Sequence, residues 1–217
     1  MKKRMTKNGI HRIAEILMKE LGEKRMKRTP LLVAIDGRCA SGKTTLASCL
    51  QSATGCSVVH MDHFFLRPEQ RTQQRLRQPG GNADWERIGQ ILPSLRKGED
   101  VSYRPYDCRL QRLTEPVQIR TGKFILIEGS YSCHPQLWDF YDLRIFLSVE
   151  PEEQLRRIER RNGPQGKEIF RTRWIPMEER YFSAFRIAKR CDLYFRTEAW
   201  QPDEKTGQVS DRDQSRR

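Results

Sequence analysis

Leu31-Leu32-Val33-Ala34-Ile35-Asp36-Gly37-Arg38-Cys39-Ala40-Ser41-Gly42-Lys43-Thr44-Thr45-Leu46 is the stretch around which the chain is organised. Its apolar opening, Leu31 to Ile35, is the short continuous run of a strand buried on both faces. The pattern G-x-x-x-x-G-K-T follows, from Gly37 to Thr44, and then a helix-forming segment. Strand, glycine loop and helix start together make this a phosphate-binding loop and not an ordinary turn. Gly37 and Gly42 let backbone N–H groups turn inward around a polyphosphate. Arg38, Cys39, Ala40, Ser41 and Thr45 complete the loop, and the helix beginning near Lys43 adds the positive end of its dipole. Lys43 is spaced to reach the β- and γ-phosphates, and Thr44 to ligate Mg²⁺ through its hydroxyl. The stretch predicts a nucleoside triphosphate site.

The 217 residues fit one α/β domain with a full core. With 36% hydrophobic and 32% charged residues the surface is generously polar. No run reaches the roughly eighteen apolar residues of a membrane span, and the basic N-terminus lacks the apolar core of a secretory signal. The six cysteines are scattered without a C-x-x-C pair or a His at metal spacing. They predict reduced thiols and a cytoplasmic protein. The net charge of +13 is uneven, because residues 1–29 carry ten Lys or Arg against three Glu. Zinc fingers, helix-turn-helix patterns and aromatic RNA-binding signatures are absent, so no specific nucleic acid is expected.

Outward from the loop, residues 8–22 place Ile10, Ile13, Ala14, Leu17, Met18 and Leu21 at helical spacing. The basic run Lys24 to Arg28 reads as a linker. Beyond the loop helix (about 43–53), Ser57 to Met61 predicts a second strand ending in Asp62-His63. Ligands of open parallel sheets sit at the carboxyl ends of strands, which puts Asp62 on the rim of the phosphate loop. Residues 66–82 are polar, with Arg67, Arg71 and Arg75 spaced by four; a solvated face and a substrate lid fit them equally. Asp84 is an N-cap for a helix to about Leu95. Val101 to Asp107 and Val117 to Ile119 suggest a small hairpin excursion.

Lys123 to Glu128 is an apolar strand ending in a carboxylate, and Glu128 can order Mg²⁺ or its waters. Leu143 to Val149 is another strand. Pro151 opens a helix to about Asn162 that bears Arg156, Arg157, Arg160 and Arg161. Asn162 to Lys167 breaks it. A further helix at about 176–190 precedes a last strand, Cys191 to Phe195. Residues 197–217 read as a disordered tail. The domain therefore spans residues 30–196, with a lid at about 155–175. No N-K-x-D or D-x-x-G motif follows the loop, which argues against a GTPase. Arg157 and Arg160 lie one turn apart, placed to neutralise charge on a moving phosphoryl group.

The runs His60 to Phe65, Asn82 to Trp85, Tyr103 to Asp107, Ile127 to Tyr131 and Arg156 to Arg161 together resemble the uridine kinase family, and more closely the short bacterial proteins grouped with it. The resemblance covers about residues 30–195, with its motifs in family order. It implies a three-layer P-loop kinase fold with a mainly parallel five-stranded sheet, a small β-hairpin excursion and a helical lid. It also implies ATP–Mg²⁺ as donor and a hydroxyl on a small molecule as acceptor.

By the same resemblance Asp62 takes the proton of the acceptor's 5′-hydroxyl, Asp84 contacts its sugar hydroxyls and Tyr106 lines the base pocket. Glu128 is the metal-side carboxylate, and Arg157 and Arg160 are lid arginines. The family's true uridine and cytidine kinases carry a His shortly after the tyrosine. Here Asp107-Cys108-Arg109-Leu110 follows, so Arg109 reads something else, such as a carboxylate or phosphate. His63 is an acceptor contact or a packing residue. Uridine or cytidine is the expected acceptor; a sugar phosphate or pantothenate-like acid is the alternative, and an RNA-associated regulator using the basic N-terminus is a third. No membrane partner is expected, and oligomeric state is open.

Overall fold

A computed structural model describes residues 4–5, 13–19, 22 and 30–197. Ile10, Leu21, the Lys24 to Arg28 linker and the tail beyond Thr197 lie outside the described residues. Ten strands occur among them: β1 (Arg4–Met5), β2 (Leu31–Gly37), β3 (Ser57–His60), β4 (Val101–Tyr103), β5 (Tyr106–Asp107), β6 (Arg112–Leu113), β7 (Val117–Ile119), β8 (Phe124–Glu128), β9 (Leu143–Val149) and β10 (Leu193–Thr197). The helices are α1 (residues 13–19), α2 (Lys43–Thr54), α3 (Gln73–Arg77), α4 (Trp85–Lys97), α5 (Pro151–Ile169), α6 (Ile175–Ala184) and α7 (Ile187–Arg190).

The main sheet is parallel throughout, in the order β1-β10-β9-β2-β8-β3. Five strands make its body, and the two-residue β1 extends the β10 edge. The alternation along β2 explains the two buried faces. Leu31, Val33 and Ile35 pack with Leu46 and Leu50 of α2 and with Ile13 and Leu17 of α1. Leu32 and Ala34 turn the other way, into a core with Ile88 and Leu92 of α4 and Tyr181 and Phe182 of α6. Strands with two apolar faces require helices on both sides, which gives three layers. The excursion is two antiparallel pairs, β4 with β7 and β5 with β6.

Three local expectations are corrected. The α5 break is one residue wide: only Gly163 leaves the helix (φ 73°, ψ 177°), and the chain runs on helically to Ile169. Pro164 lacks an N–H, which a helix start does not need, so the Gly-Pro pair makes a kink in place of a loop. A π-helical turn, Phe170–Trp174, then joins α5 to α6. The predicted 176–190 helix is two helices, divided where Arg186 takes a left-handed conformation (φ 54°). Thr197 belongs to β10 and not to the tail, because its hydroxyl donates to the Ser41 and Ser148 carbonyls.

Candidate active site

The phosphate loop leaves β2 between two strands that fix it. A Cβ on Gly37 would stand 1.9 Å from the Leu147 carbonyl oxygen of β9, so only glycine passes there. Asp36, fully buried just before it, accepts from the N–H groups of Gly37, Tyr131 and Cys133 and from the Tyr181 hydroxyl. Burial pushes this carboxyl up to about 6 despite its donors. Asp36 thereby ties the loop to the turn after β8 and to α6. Lys43 Nζ donates to the loop's own carbonyls, Gly37 at 2.7 Å and Arg38 at 2.9 Å.

The parallel register carries the next groups to the same rim. Glu128 ends β8 opposite Ile35 of β2 and opposite His60 of β3. Its two oxygens each lie 3.3 Å from the Thr44 hydroxyl, and Oε1 lies 2.6 Å from His60 Nδ1. Asp62 follows β3 in the 3-10 turn Met61–Phe64. Burial and the nearby Glu128 charge raise its pKa, and Lys43, His60 and Arg161 draw it back. The bond to Glu128 raises the pKa of His60. His60 opens the run His60 to Phe65 without a role of its own there, although its place at the end of β3, two residues before Asp62, marks it for this rim.

Around these groups lies a cleft of about 1320 Å³, lined by loop residues 39, 40 and 42–45, by Asp62 and Glu128, and by Arg157 and Arg160. That exceeds the roughly 300–1,000 Å³ of a single-ligand site and leaves room for a nucleotide and a second molecule.

No protein-family model matches the chain. A uridine kinase of Ureaplasma parvum is 26% identical over 142 residues, which is 60% of this chain and 69% of that protein. The uridine kinase-like protein 3 of Arabidopsis thaliana is 24% identical over 176 residues, 75% of this chain. The alignment spans only 38% of that longer protein. The solved structure of a possible uridine kinase from Bacillus stearothermophilus superposes with TM-score 0.58 at 20% identity, over 83% of this chain and 99% of that one. The chain is similar in sequence to uridine kinases and uridine kinase-like proteins, and it shares the α/β fold of these solved structures. A Silicibacter protein proposed as a fructose transport system kinase shares the fold equally well, with TM-score 0.58 at 22% identity over 82% of this chain and 97% of that one.

The remaining residues singled out in the sequence divide. Arg157 bonds the Glu153 carboxylate, the Ala40 carbonyl and the Thr197 hydroxyl, which fixes it against the loop. Arg160 lines the cleft one turn further on, with Arg161 and Arg173 beside it. Of the expected acceptor contacts Asp62 lines the cleft, whereas His63, Asp84, Tyr106 and Arg109 are not among its lining residues. Asp84 is buried, caps the Arg87 N–H at 3.1 Å and accepts from Gln70. One of its oxygens serves the cap and the other the Gln70 amide. His63 Nδ1 meets the Tyr103 hydroxyl at 2.9 Å, and burial lowers its pKa. The Tyr106 hydroxyl accepts from Arg71 at 3.0 Å. Arg109 lies in the turn between β5 and β6, where its backbone N–H donates to the Asp107 carboxylate.

Arg71, Asn82, Cys108, Tyr131 and Arg180 line the cleft in their place. Of these Arg71 carried a spacing signal with Arg67 and Arg75, and Asn82 and Tyr131 stood in the runs that carry the family resemblance. Among the described residues no helix is long and apolar enough to cross a membrane.

Proposed function

We propose that the protein moves the γ-phosphoryl group of ATP to a hydroxyl of a small acceptor, most simply the 5′-hydroxyl of uridine or cytidine. One observation carries the reading: three adjacent strands deliver Lys43 and Thr44, Glu128, and Asp62 to one rim of one cleft. The loop fits a polyphosphate. The Ser41 hydroxyl is buried without a partner, no side chain caps the start of α2, and Lys43 rests on carbonyls it can exchange for phosphate oxygens.

Thr44 and Glu128, 3.3 Å apart, would hold Mg²⁺, which when bound supplies charge neutralisation between the β- and γ-phosphates. Lys43 holds the terminal phosphates. Asp62 accepts the proton of the acceptor hydroxyl as its oxygen bonds to the γ-phosphorus and the bond to the β–γ bridging oxygen breaks. Arg160, with Arg161 and Arg173, balances charge on the moving group. Because the transition state is loose, holding the two molecules in line outweighs proton removal.

A second reading keeps the chemistry and changes the acceptor to another small hydroxyl compound. It is favoured by Asp84 and Tyr106, whose polar atoms already have protein partners, and by the missing His after Tyr106. ADP release from ATP–Mg²⁺, with and without uridine or cytidine, tests both. Nucleoside-dependent turnover lost in Asp62→Ala establishes a nucleoside kinase. Nucleotide binding without nucleoside stimulation moves the acceptor to the second reading.

A further inference from the structure

The cleft carries more positive charge than a nucleotide and a neutral acceptor explain. Seven cationic side chains line the cleft against three carboxylates. One of those, Glu178, is committed to the Cys39 N–H and the Ser130 hydroxyl. Lys43, Arg157 and Arg160 stand with the phosphate loop and the lid, where a nucleotide's charge accounts for them.

Arg71 does not belong to that group. Its Nε donates to the Leu66 carbonyl at 2.9 Å and its Nη2 to the Tyr106 hydroxyl at 3.0 Å, so its position is fixed by two neutral oxygens. Arg180, reaching in from α6, donates to the carbonyl of Leu76, another lining residue. Neither forms an ion pair among the described residues, although Arg38, Arg75, Arg87, Arg96 and Arg144 all do. A guanidinium held by neutral acceptors, facing a cleft and without a counter-ion, is arranged to receive an anion.

The neighbours of Arg71 say which molecule brings that anion. Asp62 lies in the 3-10 turn Met61–Phe64 that follows β3. β5, whose Tyr106 hydroxyl holds Arg71, packs on that same turn. Arg71 therefore borders the Asp62 part of the cleft, and the anion it receives comes with the molecule whose hydroxyl faces Asp62.

We propose that the acceptor carries a phosphate or carboxylate group, held in the cleft by Arg71 and Arg180. This rests on the kinase reading above and specifies the acceptor class. A neutral nucleoside leaves both arginines unsatisfied.

Inorganic phosphate is the probe, titrated calorimetrically into the full chain saturated with AMP-PNP–Mg²⁺, so that the donor site is already filled. The expected result is one phosphate bound per chain, with affinity at least tenfold weaker in Arg71→Gln and severalfold weaker in Arg180→Gln. AMP-PNP affinity is expected to be unchanged in both variants. Absence of phosphate binding to the loaded protein, or equal affinity in wild type and Arg71→Gln, overturns the proposal. If Arg71→Gln does not fold, the exposed Arg180→Gln decides, and unchanged affinity there overturns it. Malonate competing at concentrations comparable to phosphate marks a carboxylate acceptor, and resistance to malonate marks a phosphate-bearing one. Wild-type protein that fails to bind AMP-PNP sinks the kinase reading itself, before any phosphate is added.

Discussion

Glu178 Oε2 accepts the Cys39 backbone N–H at 2.9 Å while its Oε1 accepts the Ser130 hydroxyl at 2.6 Å, so α6 is bonded directly to the phosphate loop. The carboxylate is buried and serves two buried donors at once. Glu178→Ala leaves the Cys39 N–H without its acceptor, at about 1–3 kcal/mol, and leaves the Ser130 hydroxyl only the Gly37 carbonyl at 3.3 Å. The variant is expected to melt several degrees lower and to bind AMP-PNP more weakly. Glu178→Gln, which keeps one carbonyl acceptor, should fall between. Thermal melts and calorimetry check this, and an alanine variant matching wild type in both would show that the tie is dispensable.

Lys43→Ala tests the loop. Among the described residues the ammonium bonds only its own loop's carbonyls, so little effect on the fold is expected. Its work is with phosphate charge, and removing such a preorganised cation costs about 10²–10³ in turnover. ADP release should fall by that factor with the melting temperature nearly unchanged. Full turnover in the variant would remove Lys43 from the reaction.

Asp62→Asn keeps the size of the side chain and removes its capacity to take a proton. General-base contributions are about 10²–10⁴, and the loose transition state places the expected loss toward the lower figure. AMP-PNP binding should survive, because Asp62 makes no bond to the loop. An Asn variant that turned over at the wild-type rate would assign the proton to another group, with His60 the nearest candidate on the same rim.

The parts legible in the sequence were those whose cause is local. The apolar run Leu31 to Ile35, the loop spacing and the terminal carboxylate of Phe124 to Glu128 each predict their own element. What depends on partners distant in the chain was not legible. Arg71 and Arg75 look equivalent in a run spaced by four. In the structure Arg75 lies 3.3 Å over the Trp85 ring and pairs with Glu86, whereas Arg71 faces the cleft. Asp84 supports a cap and a sugar contact equally well, and the Arg87 N–H took it. Glu178 gave no signal, because its partner Cys39 is 139 residues away. Gly163-Pro164 reads as a break, but whether it is a loop or a kink depends on the helix resuming beyond it.

Gly163→Ala probes that kink. A Cβ there meets nothing within 4 Å, so any cost comes from the backbone (φ 73°, ψ 177°), a region essentially closed to other residues. Straightening the helix is no escape, because the Pro164 ring would clash with the preceding turn. A loss of about 1–3 kcal/mol is expected. Gly122→Ala, which also has open space and no positive φ, serves as the control and should be neutral. Equal denaturation midpoints for the two variants would show that Gly163 is under no constraint.

His134 makes stability depend on pH. Its buried ring stacks on Trp85 at 4.1 Å and faces Tyr181 at 6.2 Å, and burial followed by the Arg75 charge lowers its pKa to about 4. The unfolded chain titrates this group near 6.5. The native state therefore refuses a proton that the unfolded state accepts between those two values. Its stabilising effect is fully present above pH 6.5 and is lost as pH falls toward 4, with about 2 kcal/mol gone by pH 5. His134→Phe keeps the stack and removes the titration. Urea unfolding at pH 7.5 and pH 5 should show wild type losing about 2 kcal/mol more than the variant. Equal losses in the two proteins would mean that the ring is protonated in the native state as readily as in the unfolded one.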